Sequence, residues 1–294
     1  MQASILDAVV IGAGPAGASC AAWLARLGFS ATVLEASDAV GGLCRRNPFR
    51  DDWNVSLPGL TGAQVADNLA RSLHDAGVAV QLECPVAHIV PAPGNFALAG
   101  PSLVQPLMAR HVVIASGVRP RQPRLQGTPA VPVLVGPGDH IVAHRFAGQR
   151  VAVLGGGDNA FENALYALEH GASHVTVFAR SVRAQRQFRQ QLPASSVRIG
   201  VPHLDAVAGT VNGQPFDAIL VFYGWEPCAP FADALALERS PEGFIATHPA
   251  TAQTSLEGLY AVGEVAQRQH PCVVTAMADG VTAAKAIQRR LEAA

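Results

Sequence analysis

Residues 8–35, AVVIGAGPAGASCAAWLARLGFSATVLE, decide the fold, because residues 151–178, VAVLGGGDNAFENALYALEHGASHVTVF, repeat them without a gap. Gly12, Gly14 and Gly17 fall on Gly155, Gly157 and Ala160, and Gly28 falls on Gly171. Each copy starts as an apolar strand, passes a glycine-rich turn and enters a helix that a glycine closes. The first glycine of such a turn allows a tight bend, and the second lets backbone approach a pyrophosphate. The third position, Gly or Ala, lets the helix pack close to the sheet. A phosphate then meets the unpaired N–H groups and the dipole of the helix N-terminus. One G-x-G-x-x-G is a weak signal; two in register, each between strand and helix, predict two dinucleotide-binding units.

The copies differ at their ends. Glu35 closes the second strand of the first unit, where a carboxylate accepts hydrogen bonds from an adenosine ribose. The second copy has Phe178 there, followed by Arg180, Arg183, Arg186 and Arg189. Losing the acid and gaining arginine favours a ribose bearing a 2′-phosphate, hence NADPH over NADH. Arginines spaced by three also occur as a plain solvated helix face, so NADH stays open.

The bulk numbers fit this reading. The chain has 294 residues, 49% hydrophobic and 15% charged, with 28 Gly and 21 Pro: enough core for about two α/β domains. A net charge of −1 leaves no basic field to attract nucleic acid. Residues 8–25 are 18 uncharged residues, yet no cationic start precedes them and the glycines and Pro15 make a poor spanning helix. A buried strand, turn and helix explain them, so a soluble cytoplasmic protein is expected. Five cysteines, at 20, 44, 84, 228 and 272, form no C-x-x-C pair and no zinc spacing, so reduced thiols and no metal are expected.

At this point the sequence resembles the low-molecular-weight thioredoxin reductase family of FAD- and NAD(P)H-dependent flavoproteins. The motifs carrying the resemblance run in order along the chain. They are VVIGAGPAGASCAAWLARLG, VLEASDAVGG, LPGLTGAQVADNLARSLHDAGV, HVVIASGVRPRQP, VAVLGGGDNAFENALYAL, LVFYGWEPC and TSLEGLYAVGEVAQRQHPCVVTAMADGVTAAKAI. The resemblance implies an α/β fold of two Rossmann-like three-layer dinucleotide-binding domains, with the NAD(P)H domain inserted into the FAD domain. FAD would be held by residues 1–117 and 238–294, and NAD(P)H by 118–237. The FAD residues it implies are Gly12, Gly14, Pro15, Ala16, Gly17, Glu35, Gly42, Gly117, Gly263, Glu264 and Val273. Those for NADPH are Gly155, Gly157, Asp158, Asn159, Ala160, Arg180 and Arg183. Glu264 departs from the family, which normally carries Asp there to bond a ribityl hydroxyl. The helix starting near Val273 should aim its N-terminus at the pyrimidine edge of the flavin. The family is usually homodimeric.

Relatives that reduce thioredoxin keep a dithiol just upstream of the second turn. Here Gly138, Asp139, His140 and Ile141 stand in its place, and no cysteine lies between Cys84 and Cys228. Candidate replacements are Cys44, beyond the glycine pair that nears the flavin, and Cys272, at a helix N-terminus that lowers a thiol's pKa. His140, with His144 four residues on, is a candidate proton donor. The loop CRRNPFRDDWNVSLPG (44–59) carries arginines and Trp53 suited to an acidic protein partner. This is similar to dithiol-free ferredoxin (flavodoxin)–NADP reductases of the same fold. Those usually carry an extra carboxyl-terminal segment over the flavin, whereas RRLEAA closes this sequence right after its final helix.

The reading is therefore an FAD enzyme passing electrons from NADPH to an external acceptor: a small redox protein, a small disulfide, a quinone or oxygen. One alternative is a flavoprotein with impaired NAD(P)H use, served by another donor or acting as an oxidase. Another is a flavin-binding regulator without turnover.

Overall fold

The computed structural model describes residues 5–293, and the chain divides into two compact units, Met1–Arg119 with Glu226–Ala294, and Pro120–Trp225. In the first, β1 (Leu6–Ile11) runs parallel to β2 (Ala31–Leu34) on one side and β6 (Leu107–Ile114) on the other. β3 (Ala79–Gln81) extends the sheet beyond β2. Beyond β6 the sheet forks. The antiparallel hairpin β4 (His88–Ala92) and β5 (Asn95–Ala99) pairs with its first half, while β17 (Leu259–Ala261) pairs in parallel with its second half.

The apolar run of β1 is explained by cover on both faces. Val10, Val113, Tyr260 and Val262 face α1 (Pro15–Arg26), α2 (Gly62–Asp75) and α6 (Val273–Ala293). Val9, Ile11, Val112 and Ile114 face a second cluster that includes Ala229, Ala232, Leu237 and Ile245. Small residues let α1 and α6 meet: a Cβ on Gly280 would stand 2.3 Å from the Ala16 carbonyl oxygen. Thr61 and Gln64 form a capping box at the start of α2.

The second unit is a five-stranded parallel sheet in the order β11–β10–β9–β15–β8. In chain order it contains β8 (Val133–Val135), α3 (Asp139–Val142), β9 (Arg150–Leu154), α4 (Asp158–Glu169), β10 (His174–Ala179), α5 (Arg186–Gln191) and β11 (Val197–Ile199). A small antiparallel sheet of β12 (Leu204–Asp205), β13 (Thr210–Val211) and β14 (Gln214–Pro215) precedes β15 (Ala218–Val221). One face of the parallel sheet buries Phe161, Ala164 and Ala167 of α4. The other face packs Phe178 edge-on to Phe216, ring centroids 5.8 Å apart. Phe178, where an acid would hold a ribose, is thus a core residue.

The chain crosses at 119–120 and 225–226, through β7 (Val118–Pro120) and β16 (Trp225–Pro227), which pair as a two-stranded sheet. The second crossing was expected at 237–238 and lies twelve residues earlier. Residues 226–237 go with the first unit because Ala229, Ala232 and Leu237 fill its core and Cys228 N–H donates to the Gly117 carbonyl (3.0 Å). No helix among the described residues is long and apolar enough to cross a membrane.

Candidate functional site

Each unit has one point where its strand order reverses. In the first, β1 is followed outward by β2 and β3, and β6 lies on its opposite flank. In the second, β9 leads to β10 and β11, and β15 lies opposite. Ligands of open α/β sheets bind at the carboxyl ends of strands at such a point. Both glycine turns sit there.

Gly12 has φ +104°, and a Cβ on it would meet the Ala115 carbonyl oxygen, at the end of β6, at 2.5 Å. Gly17 packs under the turn: its Cβ would be 2.0 Å from the Gly12 carbonyl oxygen. Gly14, the N-cap of α1, has nothing within 4 Å of a would-be Cβ, and no side chain caps that helix. Pro15 at N1 removes one of the orphan donors, and no side chain among the described residues caps the N–H groups that follow. Gly42 sits beside the turn, its would-be Cβ 3.5 Å from the Gly14 Cα. The buried Ser116 hydroxyl near Gly12 has no hydrogen-bond partner among the described residues. A backbone cradle with an orphaned polar atom fits a phosphate-bearing group. Glu35 is buried and braces the turn, which the sequence did not reveal. Ala13 N–H donates to its Oε2 (2.6 Å), and Ser37 donates to its Oε1 through N–H (2.8 Å) and hydroxyl (2.7 Å).

The second turn repeats the plan. Gly155 has φ +151° and abuts the Phe222 carbonyl oxygen after β15, 2.5 Å from a would-be Cβ. Ala160 is buried against it, and Gly157 again opens onto empty space as the uncapped start of α4. The middle glycine is also required: a Cβ on Gly156 would stand 2.0 Å from the Ser181 carbonyl oxygen. The Gly156 carbonyl accepts from Arg183 N–H (2.6 Å) and Ala184 N–H (3.0 Å), so the arginine loop folds onto the turn. Asp158 anchors that loop from α4, accepting from Gln185 N–H (2.7 Å) and its side-chain amide (2.9 Å). The Asn159 carbonyl is bonded by the Asn163 amide (2.7 Å). Arg180 and Arg183 are exposed, and Arg180 lies near enough to Tyr223 to oppose the upward shift that burial gives its phenol.

A third feature lies at the N-terminus of α6, within the first unit. Gly263, Glu264, Arg268, Cys272, Thr275 and Asp279 line a small cleft. Burial pushes the Glu264 carboxyl up, and no side-chain partner holds it among the described residues. Cys272 is the N-cap in a capping box where sulfur replaces the usual hydroxyl: Thr275 N–H donates to its Sγ (3.5 Å), and its own N–H donates to Thr275 Oγ1 (3.2 Å).

Cys44 is far less suited to chemistry than its position in the sequence suggests. Its thiol donates to the Gly62 carbonyl (3.3 Å), and burial with nearby Asp51 pushes its pKa up to about 11, against the pull of Arg45. A thiol reacts as thiolate, so iodoacetamide at pH 8 should modify Cys44 about 100-fold more slowly than a free cysteine of pKa about 8.5. Peptide mass spectrometry over a pH series reads this directly. His140 is exposed on α3, while His144 is bonded to Gln149 (2.8 Å) and set edge-on to Phe146. In the 44–59 loop, Arg45 pairs with Asp67 (2.7 Å), whereas Trp53 and Val55 are 66% and 90% exposed.

Two doubly wound units, each with an open glycine cradle at its switch point, define a two-dinucleotide oxidoreductase. The chain matches the pyridine nucleotide-disulphide oxidoreductase family over residues 6–195 and belongs to it. It is 26% identical to a bifunctional thioredoxin reductase/thioredoxin of Mycobacterium leprae, over 98% of this chain but only 66% of that relative's length. It is 31% identical to a ferredoxin–NADP reductase of Paracidovorax citrulli, over 88% of this chain and 82% of that one. Thioredoxin reductase of Lactococcus lactis superposes with a TM-score of 0.84 at 25% identity, over 98% of this chain and all of that one.

Proposed function

We propose that the first unit holds FAD, the second holds NADPH, and the chain carries electrons from NADPH to an external acceptor. The observation supporting this is the pair of open cradles at Gly14 and Gly157, each over an uncapped helix start. When bound, FAD supplies a ring that takes an electron pair from nicotinamide and releases it onward. The chain's own work is placement. The start of α1 holds a pyrophosphate, and Glu35 stands ready for a ribose with lone pairs left beyond Ala13 and Ser37. The start of α6, with Val273, stabilises negative charge on the flavin side. Arg180 and Arg183 take the 2′-phosphate.

The acceptor best supported is a small acidic redox protein of the ferredoxin kind, in keeping with the named reductase relatives and the exposed Trp53, Arg46 and Arg50. In a second reading the Cys272 thiolate would attack a small disulfide, expelling one thiol and leaving a mixed disulfide that an electron pair from reduced FAD would cleave to release the other; the half-buried thiol at the α6 N-cap favours it. Replacing Cys272 by Ser separates the two, since only the second needs the sulfur.

Anaerobic stopped-flow mixing with NADPH tests the main reading: rapid bleaching near 450 nm supports it, and no bleaching by NADPH or NADH sinks it. In the same assay Arg180→Gln combined with Arg183→Gln should raise the NADPH concentration for half-maximal rate about 10- to 100-fold. That is the effect of losing charge-assisted bonds of about 1.5–3 kcal/mol. NADH should be affected little.

A further inference from the structure

Arg268 is the feature of the first unit that the dinucleotide reading leaves unexplained. It follows Gln267, whose left-handed backbone (φ +45°) turns the chain from Gly263–Val265 back towards α6. Its side chain is 9% exposed and faces the 8%-exposed Asp279, Nε to Oδ1 3.5 Å. Nη2 donates to the Pro249 carbonyl, but Nε and Nη1 are buried without a hydrogen-bond partner among the described residues. Asp279 is itself held, its Oδ2 accepting from Gly263 N–H (3.2 Å). A guanidinium sealed from solvent and only partly bonded is weakly screened, so its charge is felt strongly by groups bound nearby. The cleft that Arg268 lines also borders Cys272, the N-cap of a 21-residue helix, so the helix dipole adds to the same positive field. Glu264 and Asp279 are the acidic groups opposing it.

We infer that Arg268 is a positioning residue whose buried charge, beside the start of α6, favours the more negative form of a group bound there. The inference rests on the reading above that the flavin lies at the start of α6, which makes the flavin the occupant. Arg268 then shifts the balance between the oxidised and reduced cofactor, with Asp279 holding the guanidinium in place and partly cancelling its charge.

The test is the midpoint potential of the flavin in the purified holoprotein. Arg268→Gln should bind the reduced form about tenfold less well relative to the oxidised, lowering the potential by about 30 mV for a two-electron couple. Arg268→Lys should restore part of the loss. Asp279→Asn, which removes the opposing charge, should move the potential upward. A merely structural role would not produce shifts of opposite sign. Potentials unchanged in both variants, or moved in the same direction, overturn the inference while leaving the FAD reading intact. A wild-type potential that responds to inorganic phosphate, with the response lost in Arg268→Gln, means a free anion occupies the cleft and also overturns it. A wild-type chain that takes up no FAD overturns the underlying reading and this one with it.

Discussion

Gly17→Ala should yield a protein with a lowered melting temperature and little bound flavin, whereas Gly14→Ala should fold normally and still lose flavin. The two glycines are three residues apart but meet opposite surroundings. At Gly17 the new methyl would lie 2.0 Å from the Gly12 carbonyl oxygen and 3.1 Å from the Ala115 Cβ, both parts of the sheet end. Backbone cannot rotate away as a long side chain can, so α1 must lift from the sheet. Overpacking of this kind costs about 1–3 kcal/mol or more. It also distorts the turn that shapes the cradle. At Gly14 nothing lies within 4 Å of a Cβ, and the backbone (φ −68°, ψ 179°) suits alanine. Stability should fall by no more than about 1 kcal/mol, the difference between glycine and the poorer N-cap alanine. The methyl would then occupy the space through which a pyrophosphate approaches the helix start, weakening FAD at least tenfold in a fluorescence titration of apoprotein. Full affinity in Gly14→Ala would mean that the first cradle does not hold the pyrophosphate.

The counterpart in the second unit should show the opposite division of labour. Gly157→Ala should remain yellow and stable yet lose most of its reduction by NADPH, about 100-fold at low nucleotide concentration. The position is again open, with nothing within 4 Å and an extended backbone (φ −96°, ψ −177°). Closing it removes the approach to the N–H groups at the start of α4, where charge-assisted contacts to phosphate form. Gly156→Ala is the structural control, because its methyl would strike the Ser181 carbonyl oxygen at 2.0 Å and dislodge the arginine loop. If Gly157→Ala is reduced as fast as wild type, electrons enter by a route other than the second cradle. Chemical reduction by dithionite, which needs no nucleotide site, should bleach both proteins equally.

The turns and their helices were legible in the sequence because their requirements are local. A strand, a bend and a close helix each leave a residue-type signature within about twenty positions. What stayed hidden depends on partners distant in sequence. Ala13 meets Glu35 only because β2 returns beside the turn. The Arg268–Asp279 pair joins a loop to a helix with no periodic pattern to announce it. Residues 226–237 read as the tail of the inserted domain because the linker-like ERSPEGF follows them. Their alanines and Leu237 are weak markers, and only the core of the first unit shows where they belong. Cys44 was attractive for its place beside a glycine pair, but sequence carries no measure of the burial that raises its pKa.

The fork in the first sheet bears on how the protein is made. β17 and α6 complete that sheet and its helical layer, and both lie after residue 258. The segment Pro120–Trp225 is continuous and holds every strand of its own parallel sheet. During synthesis the inserted unit can therefore close on itself while the first waits for β17 and α6. Until then the alanine-rich face of α1 has no α6 to cover it, so a unit begun before the inserted one is finished only after it.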